Sequence, residues 1–137
     1  MSGLLRVLSL LPKCFFTIIT VLVILWLTLA PKPLGDEPPQ LFPGADKIVH
    51  AIMFGGLVWM LLLDWQRIHK WAKVKWPFVI INSISVSFLG IAIEFAQSYM
   101  GLGRGFEYAD IIADAVGSFL FGAIWVFLQK FWCPKSL

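Results

Sequence analysis

Charge is scarce in this chain. Only 14% of its 137 residues are Asp, Glu, Lys or Arg, whereas soluble domains carry about 25%. A water-soluble fold of this length would lack the polar residues to cover its surface, so the composition argues against that class. Cysteine is nearly absent too. Cys14 and Cys133 both fall on what the charge pattern makes the reducing side, so no structural disulfide is expected. No Cys/His cluster or His-Glu-x-x-His motif is present to hold zinc, and neither a metal nor a cofactor is expected. The glycine-rich stretch GLGRG (101–105) follows no strand pattern, which excludes a dinucleotide fingerprint. A nucleophilic triad has little to build on, since Ser83, Ser85 and Ser87 lie well below the acidic residues.

What the chain has instead is apolar length. Hydrophobic residues make up 59%, with seven Trp and twelve Phe, and the mean hydropathy is +0.83. An all-α, polytopic integral membrane protein is the expected class, a single domain over residues 1–137. Four spans are read at about 14–30, 47–63, 77–97 and 108–128, each near the roughly 20 residues that cross about 30 Å. The first could be a secretory signal, with Arg6 and Lys13 ahead of it and Thr28-Leu29-Ala30 as a cleavage site. Pro31 would then begin the mature chain, where cleavage is disfavoured, and the apolar run is too long; a retained helix is expected.

Basic residues set the orientation. Arg6, Lys13, Arg67, Lys70, Lys73, Lys75, Lys130 and Lys135 fall at one set of helix ends, leaving Lys32, Lys47 and Arg104 at the other. The positive-inside rule puts both termini and the 64–76 loop in the cytoplasm, with Trp65, Trp71, Trp76 and Trp132 as an interfacial belt. That basic loop reads as touching anionic headgroups rather than nucleic acid.

The acids take the opposite side: Asp36, Glu37, Asp46, Glu94, Glu107, Asp110 and Asp114, with only Asp64 inside. Three of them sit on apolar helices, where a carboxylate costs a few kcal/mol or more unless it faces protein, a partner charge or water. Helical spacing groups them further. Asp46 and His50 are one turn apart, with Lys47 also able to share their face; Glu94 and Gln97 are three apart; Asp110, Asp114 and Ser118 stack in register. Ala109, Ala113 and Gly117 form a neighbouring ridge of small residues suited to close helix approach. Arg104 lies in the glycine-rich turn above. The candidate polar cavity is therefore Asp46, Lys47, His50, Glu94, Gln97, Arg104, Asp110 and Asp114.

The segments DKIVHAIMFGGL and EFAQSYMGLGRGFEYADIIADAVGSFLFG carry a further pattern. An Asp-Lys-x-x-His-x-x-x-Phe opens one helix, a Glu-x-x-Gln closes the next, and an Arg, a spaced Asp and a Gly-rich helix follow. In this order, through Asp46, Lys47, His50, Phe54, Glu94, Gln97, Arg104, Asp110, Gly117 and Gly122, the chain resembles the VanZ-like membrane protein family. Asp114 stands where that family commonly has Asn, a departure that adds a charge. The family is named for a protein linked to low-level teicoplanin resistance, so the resemblance implies a cell-envelope role in the bacterial inner membrane rather than a reaction.

Three functions fit these residues. The first is recognition of an envelope lipid, wall precursor or glycopeptide-type compound, with Arg104 and Lys47 holding anionic groups and the carboxylates accepting hydrogen bonds. The second is an enzyme acting on a lipid headgroup, with Glu94 or His50 as general base. The third is a small proton-linked carrier, which four spans would support only as a homo-oligomer. Each residue also has a plainer use: Glu94 and Asp114 in fixing helix register, Arg104 in neutralising Asp110 or Glu107, His50 as packed imidazole held by Asp46, and Asp46 and Lys47 as helix cap and snorkelling side chain. Glu107 and Tyr108 read as interface residues.

Overall fold

A computed structural model describes residues 3–35, 41–101, 103 and 105–133. Their regular structure is all helical: α1 (Gly3–Leu8), α2 (Phe15–Leu29), α3 (Ala45–Ile68), α4 (Trp76–Met100) and α5 (Tyr108–Leu128), with a 3-10 turn at Gln129–Phe131. Three helices are long and apolar enough to cross a membrane: Ala45–Ile68, Trp76–Met100 and Tyr108–Phe131. The fourth expected span, α2, has 15 residues, or about 22 Å at 1.5 Å per residue. Large apolar side chains such as Trp26, Phe88, Phe95 and Phe127 point outward along the bundle, while Phe54, Leu57, Val58, Leu62, Val86 and Ile93 fill its centre.

Two helices run longer than hydropathy predicts, each for a definable reason. A span ending at residue 63 stops where Asp64 would interrupt the apolar run. The helix α3 continues to Ile68 because Asp64 and Arg67, one turn apart, are buried and paired with each other. The helix α4 continues past Gln97 to Met100 and stops at Gly101, whose φ of 63° is the left-handed conformation that commonly terminates helices.

The tight crossings rest on glycine, and one of them uses Gly117, the last member of the expected small-residue ridge. A Cβ on Gly117 would stand 2.1 Å from the Ala51 carbonyl oxygen, so α3 and α5 are in backbone contact there. Ala109, the first member of the expected ridge, is exposed. The expected tryptophan belt changes as well. Trp76 is exposed, but Trp71 is buried with its indole N–H 3.3 Å from Ser9 Oγ, and Trp132 donates to Gln66 Oε1 at 3.0 Å.

Candidate functional site

Consecutive helices run in opposite directions, with α3 and α5 parallel to each other, so the end of α2, the start of α3, the end of α4 and the start of α5 meet at one end of the bundle. There the α3 side chains are set by the helix start. Gly44, with φ of 82°, occupies the cap position without a side-chain bond, so Asp46 is a first-turn residue and not the cap. An acidic group in a first helical turn is favoured by the exposed N–H groups there, and Asp110 has the same position on α5.

Lys47 is the hub of the outer part. Its Nζ lies 2.6 Å from Asp46 Oδ2 and 2.6 Å from Asp110 Oδ1, and it also bonds Glu107 Oε2. Asp46, Glu107 and Asp110 could themselves converge on a cation, since one ligand oxygen from each lies within 4.8 Å of the others. The lysine ammonium takes that place.

One turn deeper, His50 Nδ1 lies 2.9 Å from Asp114 Oδ1, and its Nε2 is 3.8 Å from Asp110 Oδ2. The ring stacks on Phe54 at 6.3 Å between centroids, nearly parallel at 9°. Asp114 is held below by α5 itself, and Ser118 Oγ donates 2.7 Å to the Asp114 carbonyl. The side chains thus form a ladder from the mouth inward. Exposure falls from 59% at Asp46 and 29% at Lys47 to 14% at Asp110, 12% at His50 and 2% at Asp114.

The remaining sequence-predicted residues divide. Glu94 is buried, and its Oε1 accepts the Glu107 backbone N–H at 2.6 Å, which fixes the chain entering α5. Gln97 turns to α2, donating 2.8 Å to the Thr28 carbonyl. That carbonyl belongs to the last turn of α2, where no intrahelical donor is available, so Gln97 acts as a cap for another helix. Arg104 lies outside the described residues, as do Asp36 and Glu37. Glu107, read from sequence as an interface residue, joins the cluster through Lys47 and Glu94. Its signal was a loop conformation that no spacing rule encodes. Among the described residues the cluster holds five carboxyl groups (Asp46, Glu94, Glu107, Asp110, Asp114) against one ammonium (Lys47) and one imidazole (His50).

A second buried polar assembly, unforeseen from sequence, occupies the opposite end. Asp64 Oδ2 accepts the Thr17 backbone N–H and hydroxyl, each at 2.8 Å, and so caps α2 from α3. Arg67 bonds Asp64 and donates to the Leu8 and Leu11 carbonyls, both at 2.8 Å. Beside them Gln129 takes the Val74 backbone as a pair, at 2.7 and 2.9 Å, while Gln66 Nε2 reaches Gln129 Oε1 at 3.2 Å and Cys133 Sγ at 3.1 Å. Burial pushes the Cys133 thiol above its ordinary range.

No protein-family model matches the chain, nor does any curated protein or solved structure.

Proposed function

We propose that this chain is a VanZ-like helical protein of the bacterial inner membrane, with four spans and both termini in the cytoplasm. In this reading it binds a polar envelope component, such as a lipid headgroup, wall precursor or glycopeptide-type compound, at the mouth between α3, α4 and α5. The observation that carries it is the ladder Asp46–Lys47–Asp110–His50–Asp114, which leads from exposed to buried between two apolar helices. Buried polar groups confined to structure are normally matched donor for acceptor. Among the described residues acceptors outnumber donors here, as suits a ligand rich in amide, amine or hydroxyl donors. The test is mass spectrometry of lipids and small molecules that co-purify from native membranes. A species held by wild type and lost in Asp110→Asn and His50→Ala supports the reading; identical profiles in all three sink it.

One contact favours a second reading. The 2.9 Å approach of Asp114 to His50 Nδ1 leaves Nε2 facing the less deeply buried Asp110, 3.8 Å away, and a carboxylate on one ring nitrogen is how an imidazole is oriented as a general base. Under that reading the protein acts on the headgroup it binds. Wild type then converts the co-purified species and His50→Ala does not, whereas a pure binder leaves it chemically unchanged in both.

A further inference from the structure

Asp114 is placed by a residue that carries no polar atom of its own. Gly90 lies on α4, directly across from Asp114 on α5. A Cβ at Gly90 would stand 2.5 Å from Asp114 Oδ2 and 3.1 Å from both its Cβ and Cγ. Contacts below 3.0 Å are not tolerated, and Asp is too short to bend away while its own Cβ is also crowded. The carboxyl group would have to turn about its side-chain bonds. Turning costs it the His50 Nδ1 contact at 2.9 Å, because that contact and the Gly90 slot are the two ends of one rigid placement.

We infer that Gly90 is a positioning residue for His50, acting through Asp114. The absent Cβ makes the slot that aims the Asp114 carboxyl at Nδ1 and leaves Nε2 towards Asp110 and the mouth. The imidazole then has little other freedom. Phe54 stacks on its face, Asp110 lies beyond Nε2, and the Lys47 ammonium is engaged by Asp46, Glu107 and Asp110. Glu94, buried at the end of α4, bonds the Glu107 backbone. This inference is independent of what the mouth binds, since it concerns only which ring nitrogen faces it.

A competing account is that any methyl between α4 and α5 spreads the two helices. Gly122 supplies the control, because it sits in the same interface: a Cβ there would meet Val79 Cγ1 at 2.7 Å and Ser83 Oγ at 3.1 Å, with no contact to Asp114. The experiment is nitrogen NMR of ring-labelled histidine in the full chain, in detergent micelles. His50 and His69 are its only histidines, and His69, 2.8 Å from the Trp65 carbonyl at the opposite end, is the internal reference. In Gly90→Ala the His50 ring signals are expected to shift to those of Asp114→Ala, with His69 unchanged, while Gly122→Ala keeps the wild-type His50 signals. Wild-type His50 signals in Gly90→Ala overturn the inference, as does an equal shift in Gly122→Ala. If Gly90→Ala does not fold, the double variant Gly90→Ala/Asp114→Ala decides. It folds as well as Asp114→Ala if Asp114 is the reason for the glycine, and as poorly as Gly90→Ala if it is not.

Discussion

The two ends of this bundle solve the burial of polar groups in opposite ways. At the end holding Asp64, Arg67, Gln66 and Gln129, charges are equal in number and donors meet acceptors on neighbouring segments. Every one of those bonds fastens something: α1, the first turn of α2, the 69–75 loop or the residues after α5. At the end holding Asp46, Lys47, His50, Asp110 and Asp114, carboxyl groups outnumber cations among the described residues and exposure rises towards the mouth. A matched and closed network stabilises a fold, whereas an unmatched and partly open one keeps unused capacity for a ligand. The imbalance, more than the presence of charge, marks the second end as the candidate site.

That contrast can be broken by mutation, and the largest effect belongs to the matched end. Arg67→Ala leaves Asp64 buried without its partner, a change that costs about 3–5 kcal/mol in comparable buried pairs. It also frees the carbonyls of Leu8 and Leu11. Reversible unfolding in mixed micelles should report this loss. A cost under about 1 kcal/mol would mean that the pair is not the fastening it resembles. Next comes Gln66→Leu, which keeps the volume but strands Trp132 Nε1 and the Ala72 carbonyl. The expected loss is about 1–3 kcal/mol, read in the same assay.

The acidic end should respond in the reverse sense. Lys47→Met removes a cation whose partners Asp46 and Glu107 are more than half exposed, pairs worth about 1 kcal/mol or less each. Its third partner, Asp110, is less exposed, so stability should fall, but by less than the roughly 3–5 kcal/mol of a fully buried pair. The proposed ligand should nevertheless be lost from the purified protein. If Lys47→Met unfolds the chain as readily as Arg67→Ala does, the two ends are alike and the functional distinction between them falls.

How far the sequence reaches is clearest at these same residues. The polar positions of α3 and α5 were legible because helical periodicity places Asp46, Lys47, His50, Asp110 and Asp114 on facing stripes, and apolar runs make each charge conspicuous. Gln97 was legible as polar but not as a cap, since its partner at Thr28 is 69 residues away. The Asp64–Arg67 pair was read as a helix end because hydropathy counts each charge singly, while burial depends on the two cancelling. Gln66 and Gln129 are 63 residues apart and meet only when α3 and α5 pack. Gly90 carried no signal, because its reason lies on another helix.

The smallest effect separates the two cysteines and probes the closed end directly. Cys14 is exposed, at the turn before α2, while Cys133 is buried against Gln66. Thiols react as thiolates, and the raised Cys133 pKa means that less thiolate is present at neutral pH than an open cysteine would show. A maleimide at neutral pH should therefore label Cys14 in the folded protein and Cys133 only on unfolding. In Gln66→Leu the sulfur loses a hydrogen bond that lowers its pKa, which alone would slow the reaction, but the opened clasp lets reagent in and access outweighs it. Labelling of Cys133 should speed up there, against an unchanged rate in Lys47→Met. Equal acceleration in both variants would mean that disturbance at the acidic end travels the length of the bundle, and that the two ends are not separate assemblies.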